Sequence, residues 1–112
     1  MPDFERNLDP GVDFRPLHAL ARLCRIAQGD TGQGRKAADF LLAWHNAPEN
    51  GRWDPVDLWG VDHEVAQDML AVLRLVLESK RYPADLGFGP EIERIWRAWR
   101  RSERDAARQR EG

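Results

Sequence analysis

An all-α fold is predicted by three observations. Apolar residues recur at helical spacings in four separate segments, no segment alternates apolar and polar over a useful length, and the connections are short enough for antiparallel packing. The expected architecture is a compact bundle of four main helices, with a short helical turn, ordered loops and a basic C-terminal tail.

The first helix is expected to open near Asp13 with Pro16 in its first turn, where a missing N–H is harmless. Leu17, Leu20, Ala21, Cys24 and Ala27 then share one face, and Gly29 ends the helix. The second starts after the stretch Thr31–Gly34, with Asp30 or Thr31 helping to start it. It sets Ala37, Phe40, Leu41 and Trp44 on its apolar face and ends in the turn-prone His45-Asn46-Ala47-Pro48. In WDPVDLWG, Asp54 is a cap, Pro55 a first helical residue and Gly60 a terminator, which predicts a short helical turn anchored by Trp53, Leu58 and Trp59. Asp62 can cap the third helix. Its broad apolar face, Val65, Ala66, Met69, Leu70, Val72, Leu73, Val76 and Leu77, predicts that it is the central helix. RYPADLGFGP reads as an ordered loop, held by Tyr82, Leu86 and Phe88. Pro90 starts the fourth helix, with Ile92, Ile95, Trp96 and Trp99 facing inward.

With 112 residues, the chain is long enough for one core without disulfides or metal. Residues 1–100 are expected to form a single helical domain and 101–112 a charged extension, frayed or disordered until bound. No apolar run approaches the roughly 20 residues that span a bilayer. MPDFERNLDP lacks a basic region followed by an apolar one, so cytoplasm is the expected location. The lone cysteine, Cys24, leaves no internal disulfide and no thiolate cluster for zinc; its apolar neighbours predict a buried thiol. No cofactor is implied.

The stretch GDTGQGRKAADF resembles a phosphate-binding loop. Gly29 and Gly34 have the Walker A spacing, but Arg35, Lys36 and Ala37 follow where lysine and a hydroxyl are needed, and no strand precedes it. A helix-to-helix turn whose glycines permit a close crossing fits better. Arg35 and Lys36 near a helix N-terminus remain candidates for holding an anion. His18, His45 and His63 lie in different elements with no metal-ligand spacing. His63 and Glu64, with Asp62 and Asp68 nearby, have the residue types of an acid/base pair, although carboxylates at that point also serve the helix dipole.

Two surfaces are candidates for partners. Trp53 and Trp59 either seal an end of the core or form an exposed anchor, since aromatics are enriched at interface hot spots. Arg94, Arg97, Arg101, Arg104 and Arg108 recur every three or four residues, opposite Ile92, Ile95, Trp96 and Trp99 on a helical wheel. Such a stripe can meet phosphates or an acidic protein, or can simply be a solvated face containing the Glu93/Arg97 pair.

GRKAADFLLAWHNA, GRWDPVDLWGVDHEVAQDML and YPADLGFGPEIERIWRAW, in this order, resemble a family of small bacterial proteins, a domain of unknown function often carried on integrative and conjugative elements or plasmids. The resemblance covers residues 17 to 99 and implies no activity. It implies a bacterial host and an accessory role for a mobile element. The 15 arginines against two lysines agree with a GC-rich genome, although codon usage alone accounts for them. The leading expectation is a cytoplasmic protein-binding module without catalysis. A nucleic-acid-associated accessory protein using the arginine stripe is the alternative, and an enzyme around His63 and Glu64 the third reading. Tryptophan faces on the second and fourth helices also permit a homodimer.

Overall fold

Pro16 is the second residue of helix α1 (Arg15–Ala27), where its ring fits and its missing N–H leaves no gap in the ladder. The computed structural model describes residues 15–51 and 53–101; Asp13, the expected start of this helix, lies outside them. Three further helices follow: α2 (Gly32–Asn50), α3 (His63–Ser79) and α4 (Gly89–Trp96). Two 3-10 turns (Pro55–Trp59 and Pro83–Leu86) and a terminal π turn (Arg97–Arg101) complete the fold. The all-α prediction is correct, and no strand occurs among the described residues.

The turn between α1 and α2 is closed by Thr31, whose Oγ1 accepts a hydrogen bond from Gly34 N–H at 2.8 Å. Gly34 is the glycine that the crossing demands. A Cβ there would lie 2.3 Å from the Gly29 carbonyl oxygen and 2.8 Å from that of Ile26. Gly29 itself keeps an ordinary backbone, and α1 ends one residue earlier than expected, with Gln28 N–H bonded to Arg25 O.

The helix α2 breaks where the sequence predicted. Asn46 is extended (φ −165°, ψ 85°), Pro48 follows it, and a last turn runs on to Asn50. Asn46 Oδ1 caps that turn by accepting from Glu49 N–H at 3.4 Å. The WDPVDLWG turn is also as predicted. Asp54 Oδ1 accepts from Val56 N–H at 3.0 Å, and Gly60 N–H closes the turn on Asp57 O.

Which helix is central is a correction. The core gathers on α1, which packs against α2, α3 and α4 and buries Leu17, Ala19, Leu20, Leu23, Cys24 and Ala27. Its small residues let neighbours approach from several sides. α3 buries only Val65, Met69 and Val72 and packs chiefly on α1. Its apolar sector is wider than one neighbour can cover, so Leu70, Leu73 and Leu77 face outward. Tyr82 also differs from expectation, lying exposed while Phe88 is buried.

Two helix ends are tied together from opposite sides. Gln33 Oε1 accepts from Asp62 N–H and Lys36 Nζ reaches Gly60 O, fixing the start of α2 beside the start of α3. Trp44 Nε1 donates to Arg81 O at 3.0 Å, fixing their far ends. α2 and α3 therefore run parallel, and α1 runs against both. Arg22 joins α1 to α3 through a bidentate pair with Asp68 at 2.9 and 2.8 Å.

Candidate functional site

The most distinctive surface is a row of leucines on α3. Leu70, Leu73 and Leu77 are 48%, 38% and 72% exposed; with half-buried Ala66 they follow a four-three-four spacing that keeps one seam on a helix. Arg74 and Glu78 border it, 3.6 Å apart. Val56 and Trp59 add apolar surface on the 3-10 turn that packs on α3. Sequence periodicity found these leucines but assigned them to the core, because spacing reports which residues share a sector and not whether a neighbour covers it.

The two turn tryptophans separate. Trp53 packs edge-to-face on Phe40, with ring centroids 4.9 Å apart, and seals the core beside α2. Trp59 is 85% exposed, so it does not anchor the turn to the core as predicted. It projects from the turn as free apolar surface.

The arginines of the last helix do not all face one way. Arg94 is exposed, and Arg97 pairs with Glu93 at 2.7 Å. Arg104 and Arg108 lie outside the described residues, and of Arg101 only the backbone is described. The π turn adds a residue to the helical repeat, so positions after Trp96 leave the wheel on which the stripe was drawn. Trp99 faces inward as its spacing predicts, and Arg100, four positions after Trp96, turns inward beside it. Trp99 Nε1 donates to Ala27 O at 2.6 Å. Arg100 pairs with Asp39 and donates through Nε to Asn50 O at 3.0 Å. Sequence periodicity singled out neither residue as a contact, since the pair joins helical segments 61 positions apart.

Arg35 and Lys36 are sent to different partners. The Arg35 guanidinium lies 6.0 Å from the Trp99 ring centroid, while Lys36 is bound to Gly60 O at 3.3 Å. His63 and Glu64 are both exposed at the start of α3. Cys24 is buried, as expected, and burial pushes its thiol up to about 12, with the Glu91 carboxylate adding to the shift. Such a thiol stays protonated and is a poor nucleophile. Among the described residues no group of three or more His, Cys, Asp or Glu side chains is arranged to hold a metal ion, and no helix is long and apolar enough to cross a membrane.

Two clefts that the sequence did not announce lie along the kinked end of α2. One, of about 660 Å³, is lined by Trp44, His45, Pro48, Tyr82 and Asp85. The other, of about 340 Å³, is lined by His45, Glu49, Asn50, Glu93 and Trp96. They meet at His45 and Ala84. The break at Asn46 makes them, because it swings the last turn of α2 away from the helix axis. Asn46-Ala47-Pro48 was the only sequence signal for this opening.

These features define a small helical bundle with an uncovered apolar helix face and an open groove. The chain belongs to the family of unknown function DUF7673, whose model matches residues 17–100. No curated protein and no solved structure matches it.

Proposed function

We propose that this chain is a protein-binding module without catalytic activity, and that α3 receives an amphipathic helix of another protein. The carrying observation is the uncovered row Leu70, Leu73 and Leu77. An exposed apolar row in a small domain tends to associate, and its seam spacing suits a helical partner lying along it. Trp59 extends this surface at one end, and Arg74 and Glu78 offer both charges to a partner's flank. The bacterial and mobile-element setting rests on the family resemblance of the quoted motifs. The arginine stripe supports nucleic-acid binding less well, because Arg97, one of its two fully described members, is paired with Glu93.

A photo-crosslinking residue at position 73 of the full chain in its native host tests this. The expected result is a crosslink to an amphipathic segment of another protein, lost when Leu70 and Leu77 become glutamate. Crosslinks only to a second copy would make the surface a homodimer interface and overturn the partner assignment. A yield no greater than from the same residue at exposed Gln67 would overturn the surface itself.

A further inference from the structure

We propose that the groove along the kinked end of α2 binds an organic cation, an alkylammonium or guanidinium group on a short apolar stem. The groove lies on different residues from the α3 leucines, and different observations carry it. Its carboxylates outnumber its one basic lining group, His45, which lines both clefts. Asp85 lines the larger cleft and Glu49 and Glu93 the smaller, and no lysine or arginine lines either. Asp85 Oδ2 is partly answered by Tyr82 N–H at 3.1 Å and Glu93 Oε1 by Arg97. Glu49 has no ion pair among the described residues, so its charge is open to a ligand.

Behind these carboxylates stands Asn50, 6% exposed and part of the wall of the smaller cleft. Its Nδ2 donates to Leu42 O at 3.2 Å, which fixes the side-chain amide orientation, and its backbone oxygen accepts from Arg100. Among the described residues Oδ1 has no donor and is buried. A buried acceptor without a partner is costly, and in a low-dielectric wall its negative dipole end acts over distance. Oδ1 has no surface of its own, so it attracts a cation through space while Glu49 makes the contact. Trp96 and Ile92 give the stem an apolar wall, and an aromatic face also favours a cation. An anion would meet the carboxylates of Glu49, Glu93 and Asp85. A bare metal ion would lack a donor set, since no three-ligand group occurs there.

Titration of the full ¹⁵N-labelled chain tests the proposal. Butylammonium and butylguanidinium should give saturable shifts on the Asn50 side-chain amide and the Trp96 indole N–H, with butanol and butyrate giving none. Glu49→Gln should weaken butylammonium binding about fivefold, whereas Asp30→Asn, at an exposed carboxylate outside the groove, should leave it unchanged. A lysine-bearing peptide binding at least tenfold more tightly than butylammonium identifies a protein side chain as the source; equal affinity identifies a free amine. Equal shifts with butanol, no saturable shift with either cation, or an unchanged affinity in Glu49→Gln would each overturn the assignment.

Discussion

Two glycines only two positions apart carry opposite expectations. A Cβ on Gly34 meets the backbone carbonyls of Gly29 and Ile26 at 2.3 and 2.8 Å, whereas one on Gly32 meets nothing within 4 Å. Gly34→Ala must push two helices apart or unwind the turn, at a cost of about 2–4 kcal/mol. Gly32→Ala should be neutral or stabilising by up to about 1 kcal/mol, chiefly by restricting the unfolded chain. Chemical denaturation of the two variants checks this, and equal midpoints would be the wrong result. The sequence showed that this stretch was a turn, because the hydroxyl and strand of a phosphate loop were missing. It did not show which glycine is under pressure, since that depends on how closely α1 and α2 cross.

At the scale of elements, the join between α2 and the end of α4 is polar. Asp39 and Arg100 have side chains only 24% and 13% exposed, and Arg100 also holds the carbonyl of Asn50. Removing one partner strands a charge in a partly buried place, so Asp39→Ala is expected to cost about 2–4 kcal/mol. Asp39→Ala combined with Arg100→Met should recover part of that loss, because the guanidinium charge is gone and its stem is replaced by apolar volume, while the Asn50 carbonyl loses its donor. Thermal unfolding of the single and double variants measures the recovery. This contact was illegible beforehand for a geometric reason. Arg100 follows inward-facing Trp96 by four positions, but nothing in its spacing names Asp39, 61 positions earlier, as its partner. The caps at Thr31 and Asp54 were legible, because their hydrogen bonds reach only two or three residues along the chain.

For the whole molecule, the exchange of roles between α1 and α3 decides where mutations matter. Leu23 on α1 is fully buried and Leu73 on α3 is 38% exposed. Leu23→Ala should cost about 2–5 kcal/mol through lost burial and a cavity, and Leu73→Ala well under 1.5 kcal/mol. The same leucine-to-alanine change is read at both positions, so the ratio of the two losses measures which helix is interior. Calorimetric or denaturant unfolding supplies it, and comparable losses would restore α3 to the centre. A stable Leu73 variant is also what the binding experiment requires, since a partner effect can then be separated from unfolding.

The sequence by itself determined the helical class, the number and order of the helices, the break at Asn46, the turn started by Pro55 and the burial of Cys24, whereas the 3-10 turn at Pro83–Leu86 stands where only an ordered loop was expected. Each follows from interactions between residues a few positions apart, where backbone geometry leaves few alternatives. Only the tertiary structure decided that α1 is the central helix, that Trp53 is packed while Trp59 is bare, that Arg100 turns inward, and that a groove opens beside Asn50. Those outcomes depend on which neighbour covers each face. An apolar sector looks the same in a sequence whether another helix of the chain lies against it or it remains open to solvent.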